Sequence, residues 1–223
     1  MNKFLTAVLC VALVLLTLCI SIGLPIYIRP FYYMQIEALD LPAVTGHSKE
    51  EIKEAYDQVL DYLTLPGKEF GTGVFAYSEE GESHFADCKG LFRFHATVLL
   101  LALTTVLVLW FLRKKGRFTP CRPLGKHYFF SCGLGTVLFM GLIGALAAMD
   151  FDKAFVIFHK IFFPGKENWL FHPREDQIIL ALPETFFLRC GVLILGSALL
   201  ISLSLCIVGL CLGKNMKSKL TIK

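Results

Sequence analysis

Six histidines are the side chains of this 223-residue sequence best suited to move a proton near neutral pH: His47, His84, His95, His127, His159 and His172. Two stand out by their surroundings. His84 sits in Tyr77-Ser78-Glu79-Glu80-Gly81-Glu82-Ser83-His84-Phe85-Ala86-Asp87-Cys88, three residues before Asp87 and on one face with it in any helix formed there. His159 sits in Phe151-Asp152-Lys153-Ala154-Phe155-Val156-Ile157-Phe158-His159-Lys160-Ile161-Phe162-Phe163, a run crowded with aromatic rings. Two imidazoles in apolar surroundings suit general acid–base catalysis. A lone histidine in such a place is more often a packed, hydrogen-bonded residue, so spacing alone leaves both readings open.

Other chemistries lack their patterns. There is no H-E-x-x-H and no Cys/His pair at ligand spacing, so no metal is expected. No G-x-S-x-G and no phosphate loop occur, which argues against a serine hydrolase and against nucleotide-driven chemistry. No cofactor is expected.

The elements that must position the histidines are set by hydropathy. The chain is 55% hydrophobic, above the usual composition of soluble domains. The apolar residues gather in four charge-free runs, about 4–24, 94–112, 128–148 and 190–212. About 20 residues of helix cross a hydrocarbon core of ~30 Å, and in lipid only a helix satisfies such a segment internally. The fold class expected is an all-α polytopic membrane protein, a single membrane domain with four transmembrane helices and two extracytoplasmic helical loop elements. The first run is longer than a signal-peptide core and leaves through Gly23-Leu24-Pro25 without a small-residue cleavage site, so it reads as an uncleaved anchor.

Charge sets sidedness. The loop 113–127 carries Arg113, Lys114, Lys115, Arg117, Arg122 and Lys126 with no acid, and the tail 213–223 carries Lys214, Lys217, Lys219 and Lys223 with no acid. The positive-inside rule makes both cytoplasmic, along with the N-terminus. In segment 25–93 acids outnumber bases about twofold, and it faces outward with segment 149–189. The net charge of +4 is thus a topology signal, and no nucleic-acid partner is expected. Of eight cysteines, only Cys88 and Cys190 approach the outer face, where a disulfide between them is conceivable but unsupported by spacing.

Within the first outer segment, Ser48-Lys49-Glu50-Glu51 reads as a capping box. Ile52, Tyr56, Val59, Leu60 and Leu63 then share a helical face that could lie on the membrane or pack on the other outer segment. Ser78 is a candidate cap for a helix that carries His84 and runs on into the second span. Residues 151–163 read as a re-entrant or interfacial element. Arg29 could position the interface or meet a lipid phosphate.

Both outer segments resemble a known family. Ser78-Glu79-Glu80-Gly81, His84-Phe85, Asp87 and Leu91-Phe92 are similar to one signature of the bacterial lipoprotein intramolecular transacylase (Lit) family. Phe151-Asp152, Phe155, Phe158-His159-Lys160-Ile161-Phe162-Phe163, Trp169-Leu170-Phe171, Asp176, Leu182-Pro183-Glu184 and Phe186-Phe187 resemble the second, more specific one. Tyr56-Asp57 and Leu60-Asp61-Tyr62-Leu63 also fit, whereas Cys88 departs from an expected aliphatic residue. The resemblance implies an enzyme of the bacterial cytoplasmic membrane. Such an enzyme moves the sn-2 acyl chain of a diacylglyceryl-modified lipoprotein onto the α-amino group of that lipoprotein's own N-terminal cysteine, giving a lyso-form product.

The resemblance further implies that His84 and His159 are the essential catalytic pair. Asp87, Tyr56, Asp152 and Trp169 are supporting candidates: Asp87 to orient His84, Tyr56 and Trp169 for acyl or glyceryl contact. The substrate lipoprotein and membrane lipid are the expected partners, and the enzyme is expected to act as a monomer. His84 is assigned as general base towards the amine and His159 to the carbonyl side, with the reverse assignment open. Two rival readings stand beside this one: a His-dependent phospholipid hydrolase or acyltransferase, and a non-enzymatic membrane interaction protein.

Overall fold

Backbone groups in lipid have no water to bond, so each charge-free run must close its own hydrogen bonds. Four long helices result: α1 (Lys3–Tyr27), α5 (Glu79–Lys114), α6 (Tyr128–Met149) and α9 (Glu184–Thr221). Between them lie α2 (Arg29–Ala38), α3 (Leu41–Thr45), α4 (Lys49–Thr64), α7 (Phe151–Phe162) and α8 (Ile178–Ala181). The structure is a computed structural model that describes residues 2–221, with side chains to residue 213; the side chains of Lys214, Lys217, Lys219 and Lys223 lie outside the described residues. Among the described residues there is no strand, and four helices are long and apolar enough to cross a membrane. The all-α, four-span fold expected from hydropathy is the one observed.

The chain divides into two units, residues 1–22, 96–146 and 193–223 against residues 23–95 and 147–192. In the first, α6 and α9 approach closely through glycines. A Cβ on Gly133 would lie 2.4 Å from the Ser202 carbonyl oxygen, and one on Gly209 would lie 2.4 Å from the Phe130 nitrogen. Small residues of this kind let helix backbones meet where no hydrophobic drive exists between them. Leu100, Leu101, Val108, Leu138, Leu142, Leu200 and Ile207 are exposed, as lipid-facing positions of a span should be.

The second unit holds the shorter helices. Its core gathers Tyr32, Ile36, Leu41, Ile52, Ala55, Val59, Ile178 and Ala181. The capping box at the start of α4 is formed: Ser48 Oγ accepts from the Glu51 nitrogen, and Glu51 accepts from the Ser48 nitrogen. The apolar face of α4 is buried against α2, α3 and α8, so this helix packs inside the unit and does not lie on a membrane. Tyr32 Oη donates to the Ala181 carbonyl at 2.8 Å, joining two elements distant in sequence.

Several local expectations change. α1 does not end at Gly23-Leu24-Pro25 but continues to Tyr27. A proline so close to the helix end removes only one of its hydrogen bonds. Arg29 is paired within the protein: its guanidinium donates to Asp61 and, at 2.9 Å, to Asp57, which raises its pKa above the ordinary arginine value. The segment expected to be re-entrant or interfacial is one continuous helix, the 12-residue α7, capped by Asp150, whose side chain accepts from the Lys153 nitrogen at 2.9 Å. Cys88 and Cys190 are both free thiols.

Candidate active site

α5 is 36 residues long, about 54 Å at ~1.5 Å per residue, well over the ~30 Å of a hydrocarbon core. Its polar first turns therefore extend beyond the apolar stretch, and His84 lies on them. The start of the helix is clamped from two sides. Ser78 Oγ accepts from the Gly81 nitrogen at 3.0 Å, the capping bond expected of Ser78. Asp176 accepts from both the Ser78 nitrogen and the Ser78 hydroxyl, at 2.9 and 2.8 Å. Asp176 is almost fully buried, and a Cβ on residue 81 would lie 2.1 Å from its Oδ1. Only glycine at 81 lets the segment before α8 close on the head of α5.

His159 lies near the end of α7, whose surface divides sharply. Ile157, Phe158, Ile161 and Phe162 are exposed, while His159 is buried. Burial brings it to His84. The two ring centroids are 5.8 Å apart and both residues are 7% exposed. Aromatic rings enclose them. Phe163 and Phe171 stand edge-on to His84 at 4.9 and 5.4 Å, and Trp169 stacks on His159 at 4.5 Å. Phe155 lies 4.3 Å from His159. The other histidines of this unit are engaged elsewhere: His47 against Phe75, His95 beside Tyr27, and His172 with the Arg174 nitrogen.

The environment keeps both imidazoles neutral. Burial, with the neighbouring His159 as the second cause, pushes the pKa of His84 down to about 4. Burial lowers that of His159 as well, against an opposing hydrogen bond to Phe155. That bond joins His159 Nδ1 to the Phe155 carbonyl at 2.8 Å. A carbonyl only accepts, so Nδ1 carries the proton and the lone pair of the neutral ring sits on Nε2. His159 thus presents a proton acceptor.

The supporting candidates divide. Trp169 belongs to the site, its indole donating to the Lys166 carbonyl at 3.0 Å while its face covers His159. Asp87 lies close but makes no hydrogen bond to His84; it accepts from Lys166 and, at 3.0 Å, from Asn168 Nδ2. Burial alone would raise the Asp87 carboxyl, but these two donors outweigh it and hold its pKa low. Tyr56 is a core residue, stacked on Tyr32 at 3.7 Å, and is not brought to the histidines. Asp152 faces Glu184 and raises that carboxyl's pKa by sharing a hydrogen bond with it. Neither carboxyl meets the pair.

A family model described as lipoprotein intramolecular transacylase Lit matches residues 7–187. The chain belongs to the Lit family. The solved structure of the membrane-integral lipoprotein intramolecular transacylase Lit from Bacillus cereus matches with a TM-score of 0.83 at 25% identity, covering 99% of this chain and 97% of that one. A form of that protein with a histidine-to-arginine substitution matches with a TM-score of 0.78, covering 97% and 93%, and one with a histidine-to-alanine substitution at 0.76, covering 99% and 95%, both at 25% identity. No curated protein matches the chain. It is a multi-pass membrane protein of a transacylase family.

In this Lit-family chain, sequence reasoning missed Asn168, Lys166 and the place of Cys88. Asn168 and Lys166 follow the Pro164-Gly165 turn, where no periodicity assigns a facing direction. Their signal was a short polar island, 166–168, within an aromatic stretch. Cys88 Sγ is 3.4 Å from His84 Nε2, an i, i+4 contact legible once the helix is assumed. Burial, then the charge of Asp87, pushes the Cys88 thiol up to about 12, so it stays protonated and is no nucleophile. Among the described residues no group of three His, Cys, Asp or Glu side chains converges to hold a metal ion.

Proposed function

We propose that this protein moves the sn-2 acyl chain of a diacylglyceryl-modified lipoprotein to the α-amino group of the lipoprotein's own N-terminal cysteine, with His84 and His159 as the catalytic pair. The observation that carries this is the enclosure of two neutral imidazoles, 5.8 Å apart, by aromatic walls. Membership of the Lit family supplies the reaction class.

Proton accounting supports a pair over a single base. The substrate amine has a reference pKa of about 7.7–8.0, so it arrives mainly as an ammonium at neutral pH. To become an amide nitrogen it must lose two protons. The C–O bond to the sn-2 oxygen breaks, that oxygen takes one proton back, and one proton leaves to solvent. Two neutral rings match two deprotonations. One ring takes the first proton and frees the amine lone pair for attack on the ester carbonyl. The other takes the second, and the imidazolium so formed protonates the departing oxygen. His84 is assigned as base towards the amine. His159 acts on the carbonyl side, where it must first gain a proton because its resting Nε2 is an acceptor. General acid–base catalysis of this kind is worth about 10²–10⁴-fold. Because nucleophile and ester belong to one molecule, attack also gains the proximity advantage.

Ester-to-amide exchange is downhill and needs no coenzyme. The enzyme acts as a monomer in the bacterial cytoplasmic membrane, with both termini cytoplasmic and the histidines on the outer face. The basic residues of 113–126 support that sidedness. Exposed Ile157, Phe158, Ile161 and Phe162 on α7 suit contact with acyl chains.

The test is to express the chain in a host lacking the third lipoprotein acylation step and to supply substrate labelled in the sn-2 chain. Mass spectrometry of N-terminal lipopeptides should find the label in an amide. Label released as free fatty acid would instead identify a hydrolase.

A further inference from the structure

We propose that Asn168 is the positioning residue for His84: its amide oxygen accepts a hydrogen bond from His84 Nδ1–H and so leaves the lone pair on Nε2. This rests on the reading of His84 as part of the acyl-transfer pair.

The orientation of the Asn168 amide is fixed by chemistry. One side of it lies 3.0 Å from Asp87 Oδ2 and 3.4 Å from Ser83 Oγ. Asp87 is ion-paired with Lys166 and held ionised, so it accepts and does not donate. The group facing it must therefore be the amide nitrogen, which leaves the oxygen pointing elsewhere. That oxygen is shielded from solvent and has no hydrogen-bond partner, and His84 Nδ1 is in the same condition. Two orphaned buried polar atoms, one on each of two neighbouring side chains, are a pairing waiting to be made, because burial without a partner is costly. The Asn168 amide favours the protonated ring of His84, against the larger effect of burial.

The alternative tautomer is worse. With the proton on Nε2, the bare Nδ1 lone pair would face the Asn168 oxygen lone pairs in a dry setting, two acceptors opposed. With the proton on Nδ1, the Cys88 thiol can donate weakly to Nε2 across 3.4 Å. The charged and titratable groups acting on His84 are then accounted for: His159 from α7, Asp87 and Cys88 from its own helix, and Lys166 from the loop. The result is a line, Lys166–Asp87–Asn168–His84, that starts on a fixed charge and ends on a ring. His159 reaches the same tautomer through the Phe155 carbonyl. Both rings would rest with Nδ1–H tied to the protein and Nε2 as the acceptor, met at His84 only by the weakly donating Cys88 thiol, as the two deprotonations require.

The experiment combines histidine-ring ¹⁵N NMR on the purified, lipid-reconstituted full chain with rates of lipopeptide conversion. In the wild type the His84 signal, assigned by its loss in a His84→Gln protein, should be that of the Nδ1–H tautomer. Asn168→Ala should convert it to a mixture or to Nε2–H and slow acyl transfer by about 10–100-fold, the usual scale for losing a group that orients a functional histidine, without raising KM. The double swap Asp87→Asn with Asn168→Asp exchanges amide and carboxylate, so that an amide still donates to a carboxylate and the charge moves beside His84; Asn168→Asp alone would oppose two carboxylates. The swapped protein should hold Nδ1–H and raise the His84 pKa by about one unit or more. This second variant carries the test if the alanine protein does not fold.

A wild-type His84 in the Nε2–H form, or a swapped Asp87→Asn, Asn168→Asp protein with an unmoved His84 titration, overturns the proposal. The tautomer is read without substrate. An Nδ1–H signal that responds to residue 168 upholds the positioning even if no acyl transfer is found, in which case the transacylase reading fails instead.

Discussion

In the unit of residues 1–22, 96–146 and 193–223, hydroxyls turn back on their own helix: Thr17 donates to the Leu13 carbonyl, Ser21 to that of Thr17, and Thr136 to that of Cys132. In the unit of residues 23–95 and 147–192, polar groups reach across the chain: Ser78 to Asp176, Tyr32 to Ala181, Arg189 to Gln35, Asn168 to Asp87. A bond within one helical turn satisfies a polar atom but fixes nothing beyond it. A bond between distant segments sets the position of both. The first unit has fewer such bonds, among them Cys121 N to Thr6 Oγ1 and Arg113 to Tyr128, and its helices α6 and α9 meet through glycines. The second is organised by directed hydrogen bonds, and it is the one that brings two histidines within 5.8 Å.

The contrast can be sharpened first by pH, where the effect is largest. Burial holds His84 neutral down to about pH 4 and depresses His159 too, so neither ring should titrate near 6.5. A base must be neutral to act, and burial favours the neutral form of both. kcat/KM should therefore rise about tenfold per pH unit towards the amine's own pKa of about 7.7–8.0, with no separate inflection near 6.5. A limb at 6.5 that disappears in a histidine variant would show a solvated imidazole and break the enclosed pair.

Gly81→Ala comes next. Its methyl would meet Asp176 Oδ1 at 2.1 Å, and Asp176 is already held by Ser78. Overpacking of this kind costs about 1–3 kcal/mol. Because the clamp positions the head of α5, thermal stability and rate per folded molecule should fall together. Gly209→Ala meets the Phe130 backbone at 2.4 Å and should cost a similar ~1–3 kcal/mol in a detergent melt. There the rate per folded molecule should hold, since that crossing carries no directed bond to the site. Loss of rate without loss of stability in Gly209→Ala would contradict the division.

The smallest effect is expected at Arg29. Its partners Asp57 and Asp61 are, like it, about a third exposed, and such ion pairs contribute about 0–1 kcal/mol. Arg29→Ala should leave KM for the lipopeptide unchanged. A large rise in KM would restore the phosphate-binding reading of this residue.

The sequence carried the fold unevenly. Four spans and the helix through His84 were legible because a bilayer admits no alternative for charge-free runs of that length. The face of α4 was legible at helical spacing, and Ser48 and Ser78 by their capping chemistry. What packs on what was not. Tyr56 was read as a possible lipid contact and proves to be stacked on Tyr32, because helical periodicity says that a face is buried but not by what. The proximity of His84 and His159 came from family resemblance and not from spacing, since it depends on how α7 returns to α5. Asn168 could not be read at all. Its role depends on which way one amide points, and that is settled by Asp87 across the fold.

The pair itself is tested most directly by the rate of N-acyl product formation from a diacylglyceryl lipopeptide with His84→Gln, His159→Gln and the double variant, each compared with wild type. Two groups acting as one unit are grossly non-additive. Each single variant should lose about 10²–10⁴-fold, and the double variant should fall no further than the worse single one. Either single variant turning over near the wild-type rate, or losses that multiply in the double variant, would contradict a catalytic pair at His84 and His159.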